Sequence, residues 1–404
     1  MNKLLLSAAA VISLSAFSCG QAVEQYDDAV PASADIESTE GSAEEVTLPE
    51  ELPTDPPASP MQKKLDSMSL HDKICQMFIV TPESLTGYDC LTEYDDWLDQ
   101  CYDAYPVGGF IFFDQNISYY DQTAAMLDNI KAMSSEKGTG AFLSVDEEGG
   151  DITRVQWNLG FEPVDTMRTY GDINDYSTTY NAAAYIGSYL AELGFNLDFA
   201  PVADVEISPY NELGSRIFST DPKVVADMSK AYIDGMHSQG ILTSVKHFPG
   251  LGAGDGNTHY ESVFIDRTAE ELRSAEFPAF SGGIEAGTDF FMVGHQITSG
   301  TGDGLPADLS PVAVNGWLRS ELGFKGLAIT DSHSMCAITD NYSSADSAVL
   351  AVEAGMGMIL MPYDIADAVS GLENAVYSGR ITPDRIDESV LKILEKKDES
   401  GLIS

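Results

Sequence analysis

Lysine and histidine side chains follow one short apolar segment of the chain in a pattern suited to acid–base chemistry. The apolar run ILTSV (241–245) is followed by KHFPG (246–250) and then by DGNTH (255–259). Proline and glycine directly after an apolar strand stop the strand and turn the backbone. We therefore expect Lys246, His247 and His259 on one loop at a strand's carboxyl end, where enzymes built on parallel sheets keep their active sites.

Charged residues follow other apolar runs in the same way. Asp146 ends the run AFLSVD and precedes Arg154, Arg216 follows the run LDFAPV, and Asp331 ends the segment GLAITD. Taken alone, an arginine is more often part of a surface ion pair, and an aspartate after a strand is often a helix N-cap. Together, several cations, carboxylates and a histidine at strand ends indicate a site for a polyhydroxylated ligand.

The elements that must position these residues form a repeating pattern of apolar strand and amphipathic helix. Helical patterns at 180–194, 226–240 and 343–355 each end in glycine, the residue that favours a left-handed helix cap. The strand candidates are short and lack strict alternation, as is typical of parallel strands buried on both faces. There are eight of them: MFIV (77–80), GGFIFF (108–113), AFLSVD (141–146), LDFAPV (197–202), ILTSV (241–245), DFFMV (289–293), GLAIT (326–330) and MGMILM (356–361).

Eight strand–helix units predict an α/β fold, specifically a (β/α)8 TIM-type barrel in a single catalytic domain covering 61–404. An open doubly wound sheet is the alternative, because a strand count does not prove closure. No dinucleotide fingerprint or phosphate loop stands where a strand meets a helix, so we expect no cofactor.

The first sixty residues have a different composition. Residues 1–18 carry Lys3, an apolar stretch too short to span a bilayer and small residues before Cys19, the layout of a secretory signal peptide. The sequence SAFSCG predicts an exported lipoprotein with a lipid anchor on Cys19; simple secretion is the alternative. Residues 20–60 are rich in Ala, Ser, Pro and acidic residues and predict a disordered acidic linker.

The chain is strongly acidic. It has 64 acidic and 21 basic residues and a formal net charge of −43. Removing the eleven acidic residues of 21–60 and Lys3 leaves a balance of −33 for 61–404. Such a field repels nucleic acid and anionic lipid, so we expect no nucleic-acid partner and membrane contact through Cys19 alone.

The cysteines and the remaining histidines show no metal-ligand spacing, so we predict no metal. Cys90 and Cys101 are near enough in sequence to form a disulfide in an oxidising compartment, and free thiols are equally compatible. His295 and His333 follow apolar runs, where either pocket lining or core packing fits.

Eight ordered blocks of the chain resemble glycoside hydrolase family 3, specifically its β-N-acetylhexosaminidase branch. The resemblance covers about 70–362 and implies a retaining glycosidase that removes terminal β-linked N-acetylglucosamine, in a form without the second α/β domain of some members. The blocks are VDEEGGDITR (145–154), NLDFAPVADV (196–205), SRIFSTDP (215–222), KHFPG (246–250), GHQI (294–297), LPADLSP (305–311), LGFKGLAITDSHSM (322–335) and AGMGMILMP (354–362).

The resemblance implies roles for individual residues. Asp331 matches the catalytic nucleophile, which forms a covalent glycosyl-enzyme, and His259 matches the acid/base, which is a histidine in this branch. Outside such a motif a lone histidine is more often structural. The positions that hold the sugar hydroxyls and the acetamido group are matched by Asp146, Arg154, Arg216, Lys246 and His247. Glu147 and Glu148 are left outside the site, since both could cap the following turn.

The chain departs from the family pattern beside the acid/base. Asn257 stands where the family has an aspartate, and an amide orients an imidazole without supplying charge. Asp255, on a glycine-flanked loop, is a candidate replacement. Otherwise the enzyme acts with weakened proton donation, or transfers the sugar to phosphate, or is a barrel that binds sugar without hydrolysis. A structural or adhesive lipoprotein that uses the barrel only as a scaffold is a further alternative.

Overall fold

The computed structural model describes residues 59–403. The predicted signal peptide, the lipid-anchored Cys19 and nearly all of the predicted linker lie outside the described residues. Within the described part, no helix has the length and apolar character needed to cross a bilayer.

Strands and helices alternate along 59–403. Eight strands close into one parallel barrel, in which each strand pairs with two neighbours. The strands in chain order are β1 (Phe78–Val80), β2 (Gly109–Ile111), β3 (Phe142–Val145), β4 (Leu197–Asp198), β5 (Leu242–Phe248), β6 (Phe264–Ile265), β7 (Phe290–Val293), β8 (Ile297–Thr298), β9 (Leu327–Ser332) and β10 (Met358–Leu360). The order around the barrel is β1-β10-β9-β7-β5-β4-β3-β2, while β6 and β8 form a separate two-stranded parallel sheet.

The closed barrel confirms the predicted (β/α)8 TIM-type fold and excludes an open doubly wound sheet. The first and last barrel strands pair directly, with Phe78 opposite Ile359 and Ile79 opposite Leu360. Each of the eight apolar runs overlaps one barrel strand, and β5 and β9 continue beyond the ends of their runs. The carboxyl ends of all eight strands therefore meet at one face of the barrel.

The strand β5 is longer than the sequence predicts. It continues through Phe248, so Lys246 and His247 lie in the strand and not on the following loop, which corrects that expectation. The extension is held from both sides, because Lys246 exchanges backbone hydrogen bonds with Pro201 and Ala203 and Phe248 pairs with Val293. Pro249 has no N–H to continue the ladder.

The helices cover the outside of the barrel and build its connections. Those in chain order are α1 (Pro60–Ser67), α2 (Leu70–Gln76), α3 (Pro82–Thr86), α4 (Asp96–Ala104), α5 (Tyr120–Glu136), α6 (Val155–Leu159), α7 (Met167–Ile173), α8 (Tyr176–Leu193), α9 (Pro222–His237), α10 (Ala269–Ser274), α11 (Glu276–Glu285), α12 (Cys336–Thr339), α13 (Ser344–Ala354), α14 (Ile365–Tyr377) and α15 (Pro383–Glu399). Short 3-10 helices span Asp114–Asn116, Gly214–Arg216 and Ala307–Leu309, and a π-helix spans Val312–Glu321.

Glycine caps two of the three helices for which the sequence predicts it. Gly194 ends α8 with φ of 105° and Gly355 ends α13 with φ of 112°, both in the left-handed region that favours glycine. The third helix, α9, ends earlier than expected: Ser238 is its C-cap, and Gly240 follows two residues later with φ of 77°.

An aromatic contact crosses the interior of the barrel, and the last helix makes hydrogen bonds near the amino ends of the strands. The rings of Phe142 and Phe290 meet edge to face at 5.1 Å although their strands are not neighbours, so this contact crosses the barrel interior. Near the amino ends of the strands, the buried Lys397 of α15 donates to Gln76 Oε1 and to the carbonyl of Gly140. Burial lowers the pKa of Lys397 well below its usual value.

Candidate active site

A cavity of about 340 Å³ lies at the carboxyl ends of the barrel strands. It is lined by seven of the nine candidate site residues: Asp146, Arg154, Arg216, Lys246, His247, His259 and Asp331. The other two, Asp255 and Asn257, are not among its lining residues. Most of the residues that the sequence predicts for the site therefore line one cavity. The roles assigned to them stay predictions.

Asp331 lies near the end of β9, with its carboxylate towards the cavity. Its Oδ1 accepts a hydrogen bond from the backbone N–H of Ser332 at 2.7 Å. Burial opposes ionisation of Asp331, but the charges of His295, His247 and Lys246 lower its pKa below the usual aspartate value. The helix that follows begins at Cys336 with Met335 as N-cap, so Asp331 does not cap it. The carboxylate is therefore ionised and available to a ligand.

A buried pair of histidines adjoins Asp331. His295 Nδ1 lies 3.1 Å from Asp308 Oδ1, and His333 Nε2 lies 2.8 Å from Asp308 Oδ2. Burial lowers the pKa of His295, but Asp308 more than offsets this and the pKa rises to about 9. Burial has the larger effect on His333, whose pKa is lowered. Neither histidine lines the cavity, so both belong to the packed core beside it.

Two cations and two carboxylates form a buried cluster on the wall of the cavity. Lys246 Nζ lies 2.6 Å from Asp146 Oδ1 and 2.7 Å from Glu148 Oε1. Arg216 binds Glu148 with two parallel hydrogen bonds of 2.8 Å, the fork geometry that favours arginine for carboxylates. Against the effect of burial, Arg216 and Lys246 hold the pKa of Glu148 well below its usual range.

Glu148 is therefore part of the cavity, which corrects the expectation that it lies outside the site. Its side chain is 1% exposed, and a buried carboxylate is stable only when it is paired. A signal was present in the sequence: Glu148 stands two residues after Asp146 in the block 145–154, and Arg216 and Lys246 follow other strands whose carboxyl ends meet at the same face of the barrel.

Glu147 has the structural role that the sequence predicts for it. Its carboxylate accepts the backbone N–H groups of Arg154, Val155 and Gln156 at 2.6 to 2.8 Å, and Tyr189 donates its hydroxyl at 2.8 Å. It thereby caps α6. This cap fixes the backbone of Arg154, whose side chain lines the cavity.

His247 is oriented by a carboxylate that sequence reasoning missed. Asp204 Oδ2 accepts the backbone N–H of His247 at 2.9 Å and lies 2.8 Å from its Nδ1. Asp204 Oδ1 accepts the N–H of Leu251, so one fully buried side chain connects the end of β5 to the loop after it. The carboxylate holds Nδ1 and leaves the other ring nitrogen for the cavity.

His259 stands apart from the other histidines of the chain. The other five each lie within salt-bridge distance of an Asp or Glu, whereas His259 has no such partner within residues 59–403. Asn257 Oδ1 accepts the backbone N–H of His259 at 2.9 Å and so does not bind the ring. Asp255 binds the hydroxyl of Ser208. Neither candidate partner therefore contacts the imidazole in this structure.

Glu212 anchors the loop that carries His259. Its Oε1 accepts both the backbone N–H and the hydroxyl of Thr258, at 3.1 and 3.0 Å, and Glu212 itself lines the cavity. The neighbouring Asn211 pairs with Gly256 through an isolated β-bridge. Sequence reasoning did not single out Glu212, since its partner is a backbone and a hydroxyl group 46 residues away.

The model of the glycosyl hydrolase family 3 N-terminal domain matches residues 69–395. The chain belongs to glycosyl hydrolase family 3. This confirms the resemblance inferred from the eight sequence blocks.

Curated relatives agree with this membership. A protein named beta-hexosaminidase from Nitrosomonas eutropha is 33% identical over 264 residues, which cover 64% of this chain and 74% of the relative. Beta-hexosaminidase A of Pseudoalteromonas piscicida is 26% identical over 339 residues, 76% of this chain and 56% of the relative. The chain thus spans little more than half the length of the latter protein.

Solved structures of the family have the same barrel. A family 3 beta-N-acetylglucosaminidase from a Paenibacillus species matches with a TM-score of 0.78 and 31% identity, over 83% of this chain and 63% of its own. A beta-N-acetylhexosaminidase from Beutenbergia cavernae matches with a TM-score of 0.74 and 30% identity, over 82% and 99%. The match therefore covers nearly the whole length of one of these family 3 structures and about two thirds of the other.

Proposed function

We propose that this family 3 chain is a retaining β-N-acetylhexosaminidase, which removes terminal β-linked N-acetylglucosamine. The proposal depends above all on one observation: Asp331, with a lowered pKa and no side-chain ion pair among the described residues, faces the cavity at the carboxyl ends of the strands. The names of the similar proteins point to the same substrate.

Asp331 is the proposed nucleophile. A retaining glycosidase needs an ionised carboxylate that attacks the anomeric carbon, displaces the leaving oxygen and is later released by water. The backbone N–H of Ser332 and the fixed end of β9 hold the carboxylate in place. In the first step the bond from the anomeric carbon to the leaving oxygen breaks while a bond to Asp331 forms.

His259 is the proposed general acid and base. It lines the same cavity from an exposed position on the loop after β5. In the first step it gives a proton to the leaving oxygen, and in the second it removes one from the attacking water. No carboxylate lies within salt-bridge distance of its ring in the described part of the chain, so the imidazole forms no ion pair in this conformation.

The buried cluster is the proposed binding site for the sugar. Asp146, Arg154, Arg216, Lys246 and His247 present hydrogen-bond donors and acceptors towards the cavity, and Glu148 holds Arg216 and Lys246 in position. A buried polar group left unmatched costs about 1–3 kcal/mol, so such a site selects ligands with hydroxyl and amide groups. A volume of about 340 Å³ lies at the small end of ligand pockets, which run from roughly 300 to 1,000 Å³.

The test uses the purified protein and the nitrophenyl β-N-acetylglucosaminide. We expect release of nitrophenol by the wild type and its loss in Asp331→Asn, with no loss of folded structure by circular dichroism. A fluorinated N-acetylglucosaminyl fluoride should label the peptide that contains Asp331, detected by mass spectrometry. Labelling of another side chain would refute the assignment, and absence of turnover together with sugar binding would indicate a binding protein.

Phosphorolysis is the second candidate, and the environment of His259 favours it as an alternative. A carboxylate next to the acid/base repels an anionic acceptor, and no carboxylate lies within salt-bridge distance of His259 in the described residues. Replacing water by phosphate would yield the sugar 1-phosphate. Adding inorganic phosphate to the same assay tests this: accumulation of the sugar phosphate supports it, and unchanged release of free sugar excludes it.

We further propose that the chain is exported and anchored to the bacterial surface through a lipid on Cys19, with 20–60 as linker and 61–404 as the barrel domain. The signal-like composition of 1–18 supports this proposal. Incorporation of a labelled fatty acid by the wild type and not by Cys19→Ser would agree with it. Equal labelling of the two proteins, or of neither, would contradict the anchor.

A further inference from the structure

Exposed aromatic side chains are concentrated on one face of the barrel. Six aromatic side chains of the described part are more than 70% exposed: Trp157, Tyr210, Tyr260, Phe264, Tyr363 and Tyr377. The first five lie in connections that follow the carboxyl ends of β3, β4, β5 and β10. Tyr377 is the last residue of α14, which starts after β10 and runs towards the opposite end of the barrel.

Four of these aromatic residues adjoin the wall of the cavity in sequence. Trp157 follows Arg154 by three residues, and Tyr363 follows Met361 by two. Tyr210 precedes Glu212 by two residues, and Tyr260 directly follows His259; all the named neighbours line the cavity. Since large apolar rings exposed to water in a group commonly mark a binding surface, their position around the cavity indicates a ligand that extends beyond it.

Tyr210 and Tyr260 lie on two segments that contact each other. Thr258 binds Glu212, Asn211 pairs with Gly256, and Ser208 binds Asp255. These contacts hold the segment 208–213 against the segment 255–260. The two tyrosines, 80% and 78% exposed, therefore lie on adjoining segments beside the cavity.

The surface of these segments is on the leaving-group side. The ring of Tyr260 lies 6.5 Å from the ring of His259, the proposed acid that protonates the departing oxygen. Whatever is attached to that oxygen must leave past His259. The cavity is small, so further sugars of a chain would lie outside it, next to Tyr210 and Tyr260.

The charge of the surface restricts the kind of chain. Segments 205–215 and 251–266 contain no Lys or Arg, although Arg216 and Arg267 follow them directly, and they carry five acidic residues, of which Glu206 is paired with Arg168: Glu206, Glu212, Asp255, Glu261 and Asp266. An anionic glycan would be repelled there. Pyranose rings substituted equatorially have apolar C–H faces, which suit the negatively charged faces of aromatic rings.

We propose that Tyr210 and Tyr260 form a platform for the leaving-group part of an uncharged oligosaccharide of N-acetylglucosamine. This inference depends on the proposed glycosidase activity, and it names the substrate class more narrowly. Trp157 and Tyr363 follow other residues that line the same cavity, Arg154 and Met361, and extend the aromatic surface.

The experiment compares N-acetylglucosamine oligomers of two to five sugars with the nitrophenyl glycoside, using the full chain. We expect kcat/KM to rise with chain length. In Tyr210→Ala and Tyr260→Ala the ratio of kcat/KM for the tetramer to that for the nitrophenyl glycoside should fall by roughly three- to tenfold per ring, the range that aromatic contacts span. Tyr377→Ala, the matched control at the other end of the barrel, should keep the wild-type ratio.

Binding of the tetramer to Asp331→Asn, measured by calorimetry, separates this inference from the proposed function. Tighter binding of the tetramer than of N-acetylglucosamine, weakened by Tyr260→Ala, supports the platform even if no hydrolysis is found. A kcat/KM independent of chain length in an active enzyme would overturn it, as would an equal loss in Tyr377→Ala. Preference for cell-wall glycan fragments, which carry carboxylates, over uncharged oligomers of equal length would overturn the proposed substrate class.

Discussion

His295 Nδ1 lies 3.1 Å from Asp308 Oδ1, and both side chains are fully buried. The other ring nitrogen of His295 donates to the carbonyl oxygen of Ser332 at 2.9 Å. Ser332 follows Asp331 and supplies the N–H that binds its carboxylate. His295, paired with Asp308, thus contacts the residue next to the proposed nucleophile, and the positive charge of its ring lowers the pKa of Asp331.

The pKa values of the two buried histidines are expected to lie on opposite sides of the ordinary histidine value. His295 has a pKa raised to about 9 because Asp308 outweighs burial, while burial lowers the pKa of His333. NMR titration of ring-labelled histidine should therefore show His295 protonated at pH 8 and His333 neutral at pH 6.5. Spectra of His295→Gln and His333→Gln assign the signals. A His295 ring that titrates near 6.5 would contradict the proposed charge pair.

The same pair predicts a dependence of stability on pH. The folded-state pKa of His295, about 9, exceeds the unfolded value of about 6.5. Its contribution is then fully present below pH of about 6.5 and is lost as pH rises towards 9. We expect the urea midpoint of the wild type to fall across this window more steeply than that of His295→Gln. Equal slopes for the two proteins would show that His295 does not carry the effect.

Removing Glu148 should destabilise the barrel much more than removing an exposed carboxylate. Glu148→Ala leaves Arg216 without its carboxylate and Lys246 with Asp146 alone, and breaking a buried pair from one side costs about 3–5 kcal/mol. Glu353, which binds Arg380 near the surface through the same fork geometry, is the control, with an expected loss of about 0–1 kcal/mol for Glu353→Ala. Urea unfolding measures both, and similar losses would refute the prediction.

Asn257→Asp should improve the acid step selectively. A carboxylate near the imidazole stabilises its protonated form, and proton donation matters most when the leaving group is a poor one. We expect kcat/KM to rise more for an alkyl glycoside than for the nitrophenyl glycoside. Equal effects on both substrates would remove proton donation as the cause. A selective loss on the alkyl glycoside in Asp255→Asn would instead give the partner role to Asp255.

Releasing the contact between Glu212 and Thr258 should loosen the loop that carries His259. Glu212→Ala removes the acceptor for two donors of Thr258, whereas Thr258→Val removes only the hydroxyl. We expect faster proteolysis within 249–263 and lower kcat in Glu212→Ala, with smaller changes in Thr258→Val. Protection equal to that of the wild type in both variants would show that other contacts hold the loop.

The fold was readable from the sequence because the barrel strands are short apolar runs with buried positions on both faces. The carboxyl-end residues were readable for the same reason, since Asp146, Lys246 and Asp331 directly follow or end such runs. Asp204 and Glu212 were missed because their partners are backbone groups and side chains brought together only by folding. Glu148 was misplaced because its burial depends on Arg216 and Lys246, which lie 68 and 98 positions further along the chain.

Because β5 is longer than predicted, some residues that line the cavity lie in a barrel strand and others on a loop. These two groups should differ in how well they tolerate substitution. Lys246 is held in the barrel by backbone hydrogen bonds to Pro201 and Ala203, and His247 by the bond from its N–H to Asp204, so replacing their surroundings would disturb the whole fold. His259 is itself exposed and lies on a connection outside the barrel strands, which is attached to Glu212 through Thr258. We therefore expect exchanges of residues in that connection to change the preference for acceptors or leaving groups, while the proposed pocket for the terminal sugar keeps its structure.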